Sequence, residues 1–125
     1  MNPGIQFFVP GRPVTKQRFD PGHRLPDRVT AWEDMVRVHA KNAIQFHPQF
    51  KKLTGAVSCE LIILLPDYRK RDIDNLSKAI LDGCNGTLWD DDTQIVDLHL
   101  LKRHDKANPG VHIRVWEAEE EPFDA

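Results

Sequence analysis

The stretch Ala56-Val57-Ser58-Cys59-Glu60-Leu61-Ile62-Ile63-Leu64-Leu65, closed by Pro66-Asp67 and followed by Arg69-Lys70-Arg71-Asp72-Ile73-Asp74-Asn75-Leu76-Ser77-Lys78, decides the fold. Its first half is rich in β-branched and aliphatic residues and predicts a central strand, because an almost continuous apolar run needs cover. Pro66-Asp67 stops it. In its second half the period changes: Leu76, Ala79, Ile80 and Gly83 recur at helical spacing on one face. A helix therefore starts around Asp72 to Asn75, and Asn85-Gly86 ends it. A strand followed at once by an amphipathic helix points to a sheet packed against helices.

Outward from there the pattern continues. Ile5 to Val9 is a short strand ending at Pro10. Gly11 to Arg28 carries five Lys/Arg, three Pro and two Gly, which is loop chemistry. A loop this long in a small domain is often functional. Thr30 and Glu33 have the spacing of a capping box, and Met35, Val36, Val38, Ala40, Ala43, Ile44 and Phe46 supply the apolar face of a helix that Pro48 ends. Gln94 to Lys102 alternates, with Val96, Leu98 and Leu100 on one side. After the turn Asn108-Pro109-Gly110, Val111, Ile113 and Val115 alternate again. These last two strands are expected to pair as an antiparallel hairpin. The fold class is α/β (α+β): a mixed four-stranded sheet with two main helices, in the order β-α-β-α-β-β. Residues 1–116 form a single domain, and residues 117–125 an acidic C-terminal tail.

At 125 residues, 40% hydrophobic and 29% charged, the chain suits one globular domain with one core. Its longest apolar stretch, Leu61 to Leu65, is too short to span a bilayer. Met1-Asn2-Pro3-Gly4 has no charged n-region or apolar h-region, so no secretory signal is expected. Cys59 and Cys84 fit neither a zinc knuckle nor a redox pair, which favours a cytoplasmic chain with inert thiols. Residues 117–125 hold five of the 19 acidic residues and none of the 17 basic ones, so the rest carries a net charge of +3. The tail is most simply a solvated terminus.

Two acidic clusters carry the chemistry. Asp72 and Asp74 stand one residue apart, directly after Arg69-Lys70-Arg71, and Asp90-Asp91-Asp92 follows a turn signal 16 residues beyond Asp74. Carboxylates gathered this way repel unless a cation neutralises them. Cations beside them suggest an anionic substrate, so a divalent metal and a phosphodiester fit together. Lys78 lies one helical turn after Asp74, over the same face, and Asp82 one turn further. Asp72 as a plain helix cap and Asp90 to Asp92 as a solvated turn are the bland alternatives; capping, however, needs one carboxylate and not two. An EF-hand fails, because Gly83 stands where the twelfth-position Glu belongs. The six histidines make no zinc spacing, and no phosphate-binding glycine loop or nucleophile elbow is present. Asp97 and His99 share one face of a strand from which they could reach the site. Trp32, Trp89 and Trp116 read as core or interface anchors before base-stacking platforms.

The segment Arg71-Asp72-Ile73-Asp74-Asn75-Leu76-x-Lys78, followed by Trp89-x-Asp91-Asp92-x-Gln94-Ile95-Val96-Asp97, resembles the RusA family of Holliday junction resolvases. Gly11-Arg12-Pro13-Val14-x-Lys16-Gln17-Arg18 is similar to that family's N-terminal basic loop. The resemblance implies a homodimeric endonuclease, often phage- or prophage-encoded, that cuts four-way DNA junctions with Mg2+ or, as a substitute, Mn2+. It implies catalytic and metal-binding roles for Asp72, Asp74 and Asp92, with Asp91 as the alternative ligand, and an activity role for Lys78. Arg12, Lys16, Arg18, Arg69, Lys70 and Arg71 would bind DNA. The extra Asp90 departs from the family pattern and leaves open which of the three aspartates holds the metal. A non-catalytic junction-binding protein and a phosphohydrolase acting on smaller nucleotides are the other readings.

Overall fold

A computed structural model describes residues 3–17 and 24–119; Arg18 and the end of the acidic tail lie outside the described residues. The elements follow the expected order: β1 (Ile5–Pro10), α1 (Asp27–Phe46), β2 (Val57–Leu65), α2 (Ile73–Cys84), a 3-10 turn (Asp92–Gln94), β3 (Ile95–His104) and β4 (Gly110–Glu117). The strands form one mixed sheet, β1-β4-β2-β3.

β2 is the spine of this sheet. Val57, Cys59, Leu61 and Ile63 are fully buried on one face of it, as the sequence of this strand demands. β3 runs parallel to it and β4 antiparallel. The expected hairpin between β3 and β4 does not form, because β2 lies between them. Alternation of apolar residues reports which face of a strand is covered, and it is silent on which strand lies beside it. α2 carries the chain back from the end of β2 so that β3 can run parallel, which a tight turn cannot achieve. The segment after His104 then spans the width of β2, about 10 Å. It is tied down by the Asp105 N–H, which donates to the Leu65 carbonyl at 2.9 Å.

Both helices cover the face of the sheet that carries Cys59, Leu61 and Ile113, and the core lies between these layers. α2 buries Leu76, Ala79, Ile80 and Gly83, the stripe expected of it. α1 differs from expectation in two ways. It begins at Asp27, after Pro26 in an extended conformation, with no side-chain cap; the Thr30–Glu33 capping box is absent because both residues are already inside the helix. Its buried stripe is Val29, Trp32, Glu33, Val36, Ala40 and Ala43, whereas Met35, Val38 and Phe46 are exposed. The earlier start adds Val29 and Trp32, which continue the Val36, Ala40 and Ala43 stripe at spacings of three and four, and Met35, Val38 and Phe46 fall off that stripe.

Where α1 crosses α2 the contact is close at Gly83. A Cβ there would stand 2.9 Å from the Glu33 carbonyl oxygen and from the Val36 side chain. Gly83 therefore sets how near α2 and everything on its outer face can come to α1.

Candidate metal-dependent nuclease site

The site is assembled on the outer face of α2, from three segments. The first is the entry to α2. Asp72 occupies the N-cap position but makes no side-chain cap bond; its Oδ2 lies 3.5 Å from Asn75 Nδ2. Asp74 Oδ1 accepts from the Asn75 N–H, at 3.0 Å. Both residues are exposed. The capping role that would explain Asp72 without chemistry is thus not performed, and two carboxylates face solvent at the positive end of a helix dipole.

The second segment is the basic one before α2. Its organiser is Asp67, read from sequence only as part of a strand-ending turn. Arg71 Nη1 lies 2.8 Å from Asp67 Oδ1, Arg12 Nη2 lies 2.7 Å from Oδ2, and Arg69 Nε stands at 3.9 Å. The hydrogen bond from Arg71, with that from the Arg69 N–H, holds the Asp67 carboxyl well below the usual carboxylate range. Lys102 donates to the Arg71 carbonyl at 2.8 Å. Residues distant in sequence thus bring three guanidiniums together beside Asp72. Lys70 is exposed at the same edge.

The third segment is the turn after α2. Trp89 is fully buried and its indole N–H donates to Asn85 Oδ1 at 2.6 Å, which anchors the turn. Gln94 fixes it: Oε1 accepts from the N–H groups of Asp90 and Asp91, and Nε2 donates to the carbonyls of Leu53 and Gly55. The three aspartates then part company. Asp90 pairs with Lys52 at 2.5 Å. Asp91 caps the 3-10 turn, accepting from Thr93 Oγ1 at 2.7 Å, and that bond lowers its pKa. Asp92 is partly buried and feels the charges of Asp82 and Lys78 on α2. Burial, then the neighbouring charges of Asp82 and Asp91, raise its pKa, and Lys78 opposes them.

Lys78 lies between these groups, with Nζ 3.6 Å from Asp82 Oδ2. Asp82 also accepts from Lys16 Nζ at 2.7 Å, and Lys16 reaches Glu33 at 3.0 Å. Asp82 and Glu33 are the other functional-face residues the sequence reading gave no site role. The i, i+4 spacing from Lys78 was a signal for Asp82; nothing local marks Glu33, whose partner lies in another loop. Lys16, expected on DNA, has its ammonium turned inward to these carboxylates. Asp97 and His99 pair with each other at 3.0 Å, and Asp97 accepts from Ser58, on the sheet face away from the helices. The structure does not bring them to α2.

No three His, Cys, Asp or Glu side chains among the described residues stand at metal-holding distance of one another. The donors nonetheless suit magnesium in kind. They are carboxylate oxygens, and at Asp92 they are crowded enough to resist ionisation, which a cation relieves. Magnesium takes one or two carboxylates and completes its shell with water and substrate phosphate, so a closed protein cage is not required.

The family model for Endodeoxyribonuclease RusA matches residues 10–116, a span that takes in all three segments. The chain belongs to the RusA family. A protein from Aquifex aeolicus named Crossover junction endodeoxyribonuclease RusA is 32% identical over 93 residues, covering 72% of this chain and 69% of its own. A protein of the same name from Escherichia coli K12 is 46% identical over 73 residues, 58% of each chain. In RusA terms the matched region runs from the basic loop through β4, and it leaves the acidic tail outside.

Proposed function

We propose that this protein is a metal-dependent, structure-selective endonuclease. It cuts four-way DNA junctions by paired phosphodiester hydrolysis, in DNA recombination and repair in the cytoplasm of a bacterial or phage-infected cell. The observation that carries the reading is the pair of exposed carboxylates at the entry to α2, Asp72 and Asp74, neither of them engaged as a side-chain cap and both next to a cluster of cations, in a chain whose residues 10–116 match the RusA family.

Asp72, Asp74 and Asp92 would hold Mg2+, which when bound supplies Lewis-acid stabilisation of the charge growing on the phosphate and a more acidic water. Around it the chain's own groups bind and orient. Lys78 offers its ammonium to the oxygens of the scissile phosphate. Arg71 is held rigid by Asp67, which fixes its planar fork at the entry to α2 beside the exposed Arg69 and Lys70. Arg69, Lys70, Arg12 and Arg18 extend this backbone contact, which sets register and carries no base information. Two cuts related by a two-fold axis call for two sites in the same relation, which a symmetric homodimer provides.

The test is Asp74→Asn on a synthetic mobile four-way junction with Mg2+. Cleavage is expected to fall by at least about 100-fold, as for loss of a metal ligand. Junction binding in a gel shift should survive, since the change removes a negative charge near DNA. Retained cleavage, or equal cutting of junction, duplex and flap, would overturn the reading.

A further inference from the structure

Lys16, in the segment that follows β1, fastens that segment to α2. The Lys16 N–H donates to the Asn75 carbonyl at 2.9 Å, beside Asp74. Its side chain then runs along the helix to Asp82 Oδ2 at 2.7 Å and to the Glu33 carboxylate at 3.0 and 3.3 Å. The three side chains are only 14%, 11% and 20% exposed, in the order Lys16, Glu33, Asp82. Burial opposes the charge on Lys16, but the bonds to Asp82 and Glu33 outweigh it. A lysine so enclosed has no donor to spare for a phosphate.

The same oxygen of Asp82 is shared. Lys16 approaches it at 2.7 Å and Lys78 at 3.6 Å. One short charge-assisted bond satisfies much of a carboxylate oxygen's demand and leaves a weaker pull for a second cation. Without Lys16, two largely buried carboxylates would lack their counter-ion, and Lys78 would be the ammonium nearest to supply it. An ammonium on a flexible four-carbon stem would then be drawn back along the helix, away from Asp74.

We propose that Lys16 is a positioning residue: by occupying Asp82 and Glu33 it keeps Lys78 available to the scissile phosphate. This rests on the nuclease reading above. Lys16 touches neither substrate nor metal; it decides which carboxylate Lys78 answers to. Asp82 is the captor that Lys16 disarms.

Three alternatives, a positioning role, a direct phosphate contact and a plain structural tie, give different results with Lys16→Met and the double variant Lys16→Met, Asp82→Asn. Cleavage is measured in single turnover at saturating junction with Mg2+. Binding is measured without metal across a salt series, and thermal unfolding checks that each variant folds. Lys16→Met is expected to cut about tenfold more slowly, with junction affinity and salt slope as in wild type. Adding Asp82→Asn, which removes the captor, should restore the rate to within about threefold of wild type. Weaker binding, a salt slope smaller by about one phosphate and an unchanged saturating rate would make Lys16 a DNA contact and overturn the proposal. A double variant no faster than Lys16→Met would make it only a structural tie, and overturn it too. Should Lys16→Met not fold, Lys16→Gln keeps two donors without the charge and carries the same comparison. A wild-type protein that leaves the junction uncut overturns the nuclease reading and this role with it; a cutting wild type with no rescue overturns this role alone.

Discussion

Asp90, Asp91 and Asp92 have the same side chain, and their surroundings divide the tasks among them. Lys52 takes the first, the 3-10 turn takes the second as its cap, and the third is partly buried within the electrostatic reach of Asp82 and Lys78. Substitution should separate these tasks. Asp92→Asn should lower junction cleavage by at least about 100-fold with no loss of thermal stability. Asp90→Asn should cut within about twofold of wild type, because an exposed ion pair contributes little. Asp91→Ala should lower the midpoint of a urea titration, the cost of a missing cap. Equal loss of cleavage in the Asp90 and Asp92 variants would remove the distinction. The residues alone narrowed the partner of Asp72 and Asp74 to three neighbours, and the family pattern pointed to Asp92, with Asp91 as the alternative. The separate surroundings of the three depend on Lys52, Leu53 and Gly55, whose distance along the chain gives no local pattern to read. Asp67 was hidden for the same reason: a turn residue before a basic run has an adequate local explanation, and Arg12 lies 55 residues away.

At the level of elements, period and punctuation made α2 and β2 legible, because each has one strongly apolar face and an unambiguous stop. α1 was less so. Its start rests on Pro26 and its face on Trp32 and a buried Glu33, and an acid inside an apolar stripe reads as an interruption until its Lys16 partner is known. The β3–β4 pairing was misread because neighbour choice in a sheet follows from the crossover, not from alternation. Helix against helix, Gly83 is the contact on which the site depends. Gly83→Ala adds a methyl group 2.9 Å from the backbone oxygen of Glu33, an atom that cannot rotate away. Despite alanine's better helix propensity, the variant should be less stable by about 1–3 kcal/mol. It should also cut more slowly, since pushing α2 outward separates Asp82 from Glu33 and Lys16. Chemical denaturation and single-turnover cleavage check the two effects; a gain in stability would show that α1 can give way.

For the whole molecule, the arrangement is a sheet with both helices on one face and the candidate site on the outer face of α2, apart from the core. Among the described residues, no helix is long and apolar enough to cross a membrane. The core itself holds two thiols, Cys59 and Cys84, both fully buried. Burial pushes the Cys59 thiol up to about 12 and raises Cys84 as well, so neither forms a thiolate while the protein is folded. In the unfolded chain both ionise from about pH 9. The unfolded state then binds fewer protons than the folded one, and stability falls as pH rises, by up to about 1.4 kcal/mol per pH unit for each thiol. Lys16 acts in the same direction, because its pKa is raised in the fold, but only above its ordinary value of 10.5. The interval between pH 9 and pH 10.5 therefore isolates the cysteines. Urea midpoints over that interval should decline in wild type. They should stay nearly level in a Cys59→Ala, Cys84→Ala variant, which starts lower because of the two cavities it opens. Parallel declines in the two proteins would place the alkaline sensitivity elsewhere than in the core thiols.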